Sequence, residues 1–353
     1  MERSNRMSLV GIAFAIGAVV AAVPVFAGAN THVVHPGESI QAAVDAAAPG
    51  DTVIVRAGEY YENITIHTDA LTLQAQGHVV LEPSHYGSSS SACYQPGHDV
   101  GICVVPVDYD PSSGSYTKRV RKVTISGFRI VGFQGDGVYG FGTEKLTVSN
   151  VVAIDNTAYG VASFEGIGTT FAHNWVSGSH DAGIYIGDSH DAGAVVRHNR
   201  AHNNALGILV RHSHNALVFD NEAEGNCIGV FLLADGQEGG SGDIAVLNNS
   251  VVENNAVCTQ FEAAGFLPVL GGGGIVLAGS QHNVLVQNVV RGNQGNTLFS
   301  GGIVLIATPR ANEDGSFDAS TNNVVVLNRS RGNEPADIVH DAASVPNLIV
   351  GNR

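Results

Sequence analysis

Gly137-Val138-Tyr139, Gly160-Val161-Ala162, Gly183-Ile184-Tyr185, Gly207-Ile208-Leu209 and Gly229-Val230-Phe231 repeat one glycine-aliphatic motif at intervals of 23, 23, 24 and 22 residues. The motif returns at Gly274-Ile275-Val276 and Gly302-Ile303-Val304 after longer gaps of 45 and 28. A second signal keeps the same beat. It is an asparagine after a β-branched or apolar run, with another five residues on: Asn199/Asn204, Asn221/Asn226, Asn249/Asn254, Asn288/Asn293 and Asn328/Asn333. A fixed period of this size marks stacked supersecondary units. Short Val/Ile runs broken by Gly and Asn make those units strands and turns, not helices. Three short parallel strands per coil satisfy their backbone on the coils above and below. The repeated asparagine is expected to take left-handed turn geometry and to bond its amide to those of neighbouring coils in a ladder. A leucine-rich repeat has a similar period but needs a leucine framework that is missing. The pattern predicts an all-β, right-handed parallel β-helix with little helix. Such a solenoid grows along one axis and so holds a long chain in one domain, here 30–353.

Residues 30–82 read as the start of that solenoid. Ser39 is placed to cap a short helix over 40–48, and Pro49-Gly50-Asp51 turns into a first strand at 52–55. Such a helix closes a solenoid end whose core and strand edges are otherwise open. Residues 83–118 break the rhythm and read as a long inserted loop, with further insertions at 233–243 and 309–322. At the N-terminus, Arg3 and Arg6 precede an apolar run over 7–26 and the small-residue segments Val25-Phe26-Ala27 and Ala27-Gly28-Ala29. This is the pattern of a secretory signal peptide over 1–29, with a membrane anchor as the alternative. No later stretch is apolar enough to cross a membrane. The expected product is therefore secreted, periplasmic or on the cell surface, monomeric, and free of the membrane once the signal is cleaved.

Four cysteines in an exported chain suggest two disulfides. Sequence proximity favours Cys93–Cys103 and Cys227–Cys258, although four cysteines allow three pairings. With 17 Lys+Arg against 32 Asp+Glu and a net charge of −15, the surface repels phosphate backbones, so nucleic acid is not an expected partner. The same charge repels a polyanionic sugar unless a cation or a local basic patch intervenes.

Pro36-Gly37-Glu38-Ser39-Ile40-Gln41-Ala42-Ala43-Val44, continuing through Gly50-Asp51-Thr52-Val53-Ile54-Val55, resembles the opening of the pectate-lyase-like β-helix superfamily. The Gly-Ile-x-Ile and Asn-x4-Asn repeats are similar to those of pectin-acting enzymes, alginate epimerases and NosD-type copper-site maturation proteins. The resemblance covers about residues 32–353 and implies the fold, which hosts many chemistries. The galacturonan hydrolases of this superfamily carry an Asp-Asp pair, Gly-His-Gly and Arg-Ile-Lys, and its alginate epimerases carry Asp-Pro-His. None of these occurs here. The Ca²⁺ ligands and arginine base of pectate lyases find no matching motif to anchor them.

Geometry supplies candidates instead. Counted from each repeat glycine, positions +1 and +3 are aliphatic and point inward, so +2 and +4 point outward. These outward positions hold Tyr139, Ala162, Tyr185, Leu209 and Phe231, then Phe141, Phe164, Gly187, Arg211 and Leu233. Tyr139, Phe141, Phe164 and Phe231 are candidate platforms for sugar rings; the alternative is that such aromatics simply cover the sheet. Position +5 gives Glu165, Asp188 and His212 on three successive coils. Glu165 and Asp188 are candidate Ca²⁺ ligands, with Arg211, His212 or Tyr185 moving the proton; the alternative is a polar turn. Arg211 is expected to stand clear of the core, so that its loss barely changes stability. A second row, His173, His198 and Asp220, offers transition-metal ligands. The leading reading is a protein that binds or acts on polysaccharide, as a uronan lyase if it is an enzyme. A non-catalytic, NosD-type periplasmic metal-handling protein and a structural surface protein are the alternatives.

Overall fold

A computed structural model of the chain describes residues 28–84, 91–95, 97–236, 239–312 and 314–353. The signal segment read at 1–29 therefore lies outside the described residues except for its last two. Each coil carries three short strands in the order front, second and third, as in Ala182–Ser189, Val195–Arg197 and Arg200–His202. Ten strands, from Ile64–Ile66 to Ile338–His340, stack in parallel as the front sheet. The second and third faces are joined by the long strand Thr72–Glu82, which pairs with both Thr124–Ser126 and Arg129–Val131. Together they make one 20-stranded sheet. Among the described residues the only α-helices are α1 (Ile40–Ala46) and α2 (Gln260–Ala263), and no helix is long and apolar enough to cross a membrane.

The register is set by the repeat. Val138, Val161, Ile184, Ile208, Val230, Ile275 and Ile303 occupy one position on successive front strands, all at 0% exposure inside the coil. At the N-terminal end, Ser39 accepts the N–H of Ala42, and Glu62 accepts those of Ile40 and Gln41, holding α1 with Ile40 and Val44 turned inward. The orphan donors of the helix are thus satisfied by Ser39 and Glu62 while the helix covers the core.

Two long asparagine ladders run along the solenoid, with a shorter run of Asn283, Asn323 and Asn347 at the turn into the second face. Between the second and third faces, Asn174, Asn199, Asn221, Asn249, Asn288, Asn328 and Asn352 each donate or accept a side-chain amide bond of 2.9–3.0 Å with the next. Between the third and front faces, Asn204, Asn226, Asn254, Asn293 and Asn333 do the same at 2.8–3.2 Å. The asparagines themselves do not take the left-handed conformation expected of them. The residue before each does: His173, His198, Asp220 and Asn248 have φ of 59°, 53°, 54° and 53°. That left-handed residue bends the chain, and the bend aims the following asparagine into the turn, where its carbonyl accepts a backbone N–H of the preceding coil.

The segment 83–118 is not wholly a loop. Ile102–Val104 is a front-sheet strand between Ile64–Ile66 and Val138–Phe141. Gly101-Ile102-Cys103-Val104 fits the repeat motif, masked in sequence by the irregular residues around it. Both disulfides, Cys93–Cys103 and Cys227–Cys258, are the pairs favoured by proximity.

Ile184→Ala should lower stability by about 2–5 kcal/mol, because a methyl-rich side chain leaves a stacked row. Asn221→Ala should shift the urea midpoint further. It removes bonds donated to Val196 and Asn249, and it strips the Asn199 amide of its acceptor. An unmoved midpoint for either variant would refute the register.

Candidate functional site

The outward side of the front sheet is not an open platform. Its burial deepens along the solenoid, from alternating buried and half-buried at Val138–Phe141 to fully buried at Gly273–Ala278. The cover is an insertion in which Val257–Cys258 pairs antiparallel with Leu270–Gly271 around α2. Phe261 and Leu267 from it share one buried hydrophobic cluster with Tyr185, Leu209 and Phe231, and the Cys227–Cys258 bond ties it to the sheet. Phe231, expected to stack on sugar, is 0% exposed and packs on Phe299 at 5.6 Å. At the other end the Cys93–Cys103 bond holds a loop over the same sheet, and Tyr109 and Tyr116 lie against Phe141 at 4.9 and 5.8 Å.

Between these two covers lies a half-exposed window. Tyr139, Phe164, Tyr159 and Tyr185 form a continuous aromatic band with ring centroids 4.5–5.7 Å apart. The Tyr185 ring folds across Gly187, where any Cβ would collide with it, and its hydroxyl donates to Asp188 at 3.4 Å. The glycine at a position held by Phe or Arg on adjacent coils thus lets a buried tyrosine reach the polar edge. Glu165, just past its strand, and Asp188 and His212, next to last in theirs, take left-handed conformation, with φ of 48°, 55° and 46°. This turn brings Asp188 and His212 together: His212 Nδ1 lies 3.9 Å from Asp188 Oδ1, and neither atom has a hydrogen-bond partner. Glu165 is engaged elsewhere, accepting from the Tyr116 hydroxyl at 3.0 Å.

The hub of the cluster is a residue the repeat did not reveal. Asp235, its side chain fully buried, accepts two bonds from Arg211 at 3.0 and 3.1 Å and one from Arg310 at 3.5 Å. Its carboxylate also touches His212 Nε2, to which its backbone N–H donates at 3.0 Å. Both guanidiniums lie about 5 Å from the Phe266 ring, at 5.2 and 5.1 Å. Arg211 is therefore not clear of the core; its side chain is 16% exposed and locked in a bidentate pair. His212 is 4% exposed, and burial together with the Arg211 charge holds its imidazole below the ordinary range and neutral at neutral pH.

A second carboxylate, Asp181, sits beside the Tyr159 hydroxyl. Burial raises its carboxyl to about 6, against the opposing bond from Tyr159. Below it, Asp136 accepts the Tyr159 N–H at 2.9 Å and pairs with His98 at 3.4 Å. Burial pushes the Tyr159 and Tyr185 phenols up, which keeps them protonated.

The candidate metal ligands divide. Asp188 is shared by Tyr185, Arg211 and His212, and Glu165 by Tyr116, so these carboxylates do not form a vacant Ca²⁺ cage. His173, His198 and Asp220 do align one per coil, but the two imidazoles stack at 4.9 Å and His198 lies 3.9 Å from Asp220. Among the described residues, the donor atoms that gather within 4.8 Å belong to His202, Glu222 and Glu224 on the third face.

Comparison with solved structures settles the architecture. The A-module of a mannuronan C-5 epimerase from Azotobacter vinelandii superposes with a TM-score of 0.57 at 19% identity, over 89% of each chain. The chain is a right-handed parallel β-helix. An alginate lyase from Paenibacillus is also similar, at 0.52 and 14% identity over 89% of this chain and 98% of the other. So is a DFA-IIIase from Arthrobacter chlorophenolicus, at 0.56 and 12% identity over 90% and 93%. A family described as periplasmic copper-binding protein (NosD) matches residues 98–263 of this β-helix. No curated protein sequence matches it.

Arg211→Ala should lower stability by about 3–5 kcal/mol, because it strands the buried Asp235 charge. Asp235→Asn should lower the thermal midpoint as well, since it weakens the hold on both arginines. A midpoint within error of the parent for Arg211→Ala would show that the pair carries no stability.

Proposed function

We propose that this β-helix acts on an acidic polysaccharide in the window between its two covers, by removing the proton α to a uronate carboxylate. The observation that carries the reading is Asp181: a carboxyl raised to about 6, beside a phenol and within the field of Arg211. A base poised near working pH is what such a proton abstraction requires. Arg211, whose charge acts on Asp181, and Arg310, which is 44% exposed, are the cations available to neutralise a substrate carboxylate. Asp181 accepts the carbon-bound proton, the Tyr159 phenol protonates the departing glycosidic oxygen, and the electron pair of the broken C–H bond forms the new double bond. Arg211, held by Asp235, serves as an anchor for charge. Tyr185 and His212, both beneath the surface, orient Asp188 and Asp235. Tyr139 and Phe164 offer the half-exposed rings for sugar stacking. In this reading the arginines take the role that Ca²⁺ would otherwise fill. The names of the mannuronan epimerase and the alginate lyase support an acidic glycan, and two formed disulfides support an oxidising, extracytoplasmic compartment.

A second reading, periplasmic metal handling, draws on the NosD match and on His202, Glu222 and Glu224, which lie within the matched span. Copper retained through mild purification and lost in His202→Ala would favour it.

A panel of alginate and polygalacturonate, followed by absorbance of unsaturated uronate products, tests the first reading. Product should form, disappear in Asp181→Asn, and rise with pH as the Asp181 carboxyl ionises through about 6. The sign for stability is opposite. A raised carboxyl stabilises the fold below the unfolded value and loses that contribution as pH climbs through the folded one. Asp181→Asn should therefore melt higher than the parent at pH above about 6. No product from any uronan would overturn the proposal.

A further inference from the structure

Acidic residues outnumber basic ones 32 to 17 in this chain, yet one patch of the third face reverses the sign. Arg291, Arg329, Arg331 and Arg353 line a depression of about 470 Å³ together with Ser250 and Val289. Their placement follows from the coil register. Arg291 pairs with Arg331 across adjacent strands, and Arg329 lies two residues before Arg331. Arg353 stands one coil beyond Arg329, since its N–H bonds Asn328 as that of Arg329 bonds Asn288. The result is a staggered grid of four arginines over three coils, Arg291 on the first, Arg329 and Arg331 on the second and Arg353 on the third, on strands about 4.8 Å apart. All four residues are exposed.

None of the four has a carboxylate partner among the described residues; the paired arginines are Arg121, Arg200, Arg211 and Arg310. Arg200 lies in the same strand column as Arg329, four coils earlier, and there the next coil supplies Glu222 at 3.2 Å. Like charges facing each other across strands are destabilising. The fold can neutralise an arginine on this face with an acid in register, and at the grid it does not.

We propose that the grid is a docking site for a linear, carboxylate-bearing glycan lying along the solenoid axis. The planar guanidinium fork matches a carboxylate in two-point contact. A polymer with one charge per sugar meets a surface with one or two charges on each of three successive coils. A bulkier polyanion such as duplex nucleic acid would extend past the patch onto acidic surface and be repelled. The uronate identity of the glycan rests on the function proposed above; the anion site itself does not. Because the grid is on the third face and the window is on the front sheet, it would hold a chain without turning it over.

Calorimetry of the full chain with a short oligogalacturonate, a neutral oligosaccharide of the same length and inorganic sulfate tests this. The oligouronate should bind, and its affinity should fall with added salt. It should drop about tenfold or more in the double variant Arg291→Ser/Arg331→Ser. Removing an unneutralised like-charge pair should leave the thermal midpoint of that variant unchanged or higher, which shows that it is folded. Equal binding by the double variant, equal binding of the neutral sugar, or sulfate alone matching the oligomer would each overturn the proposal. Arginine-dependent oligouronate binding without turnover of any uronan would sink the catalytic reading and leave this one standing.

Discussion

The turns on either side of the third face bury backbone amides that a helix or an ordinary hairpin would satisfy locally. Here the satisfaction comes from the next coil, and the asparagine ladders are the device. Asn199 shows the arrangement: its side chain donates to Phe171 and Asn221, while its carbonyl accepts from the backbone and side chain of Asn174. A buried amide left without such partners costs about 1–3 kcal/mol, so the turns fix the spacing of coils as firmly as the strands do. The left-handed residue before each asparagine is the local condition for this. It is held by His, Asp, Asn or Gly at many turns, residue types that accept positive φ most readily.

Given that frame, the chemistry sits at the margin of the repeat and not in it. The strand positions place Tyr185, Arg211 and His212 side by side, but what activates them comes from outside the period. Asp235 follows the strand end of its coil, Arg310 comes from a later insertion, and Phe266 belongs to the cover tied by Cys227–Cys258. The window is therefore polar and partly desolvated at once, the condition under which Asp181 departs from ordinary carboxylate behaviour. A flat, uncovered sheet would leave the same residues fully hydrated.

The fold was readable because it is said many times over. Gly137, Gly160, Gly183, Gly207 and Gly229 announce the same strand, and the paired asparagines announce the same turns. The repeat spacing also puts Asp188, Arg211 and His212 on adjacent coils, since register carries distant residues side by side. The cover over Phe231 was not readable, because an insertion that occurs once has no period and α2 spans only four residues. Without the cover, an outward aromatic looks like a binding platform. Asp235 and Arg310 escaped for the same reason, lying where the repeat is interrupted. Asp181 did leave a trace, two residues before a repeat glycine, but burial and not spacing gives it its character. The unpaired Arg291 and Arg331 were visible as letters only; their opposition appears once the coils are in register.

The ladders have a consequence for how such a chain changes over time. Each asparagine contacts the equivalent residue one coil away, so the joints between coils are interchangeable: Asn221 meets Asn249 across 28 residues and Asn249 meets Asn288 across 39, with the same bonds. The extra residues leave the stack sideways and never enter the joint. A whole coil can then be gained or lost as a unit, and a loop can lengthen between two joints without a cost to either. In this architecture the embroidery around the window hangs outside the joints, and the thread that stitches coil to coil runs past it unbroken.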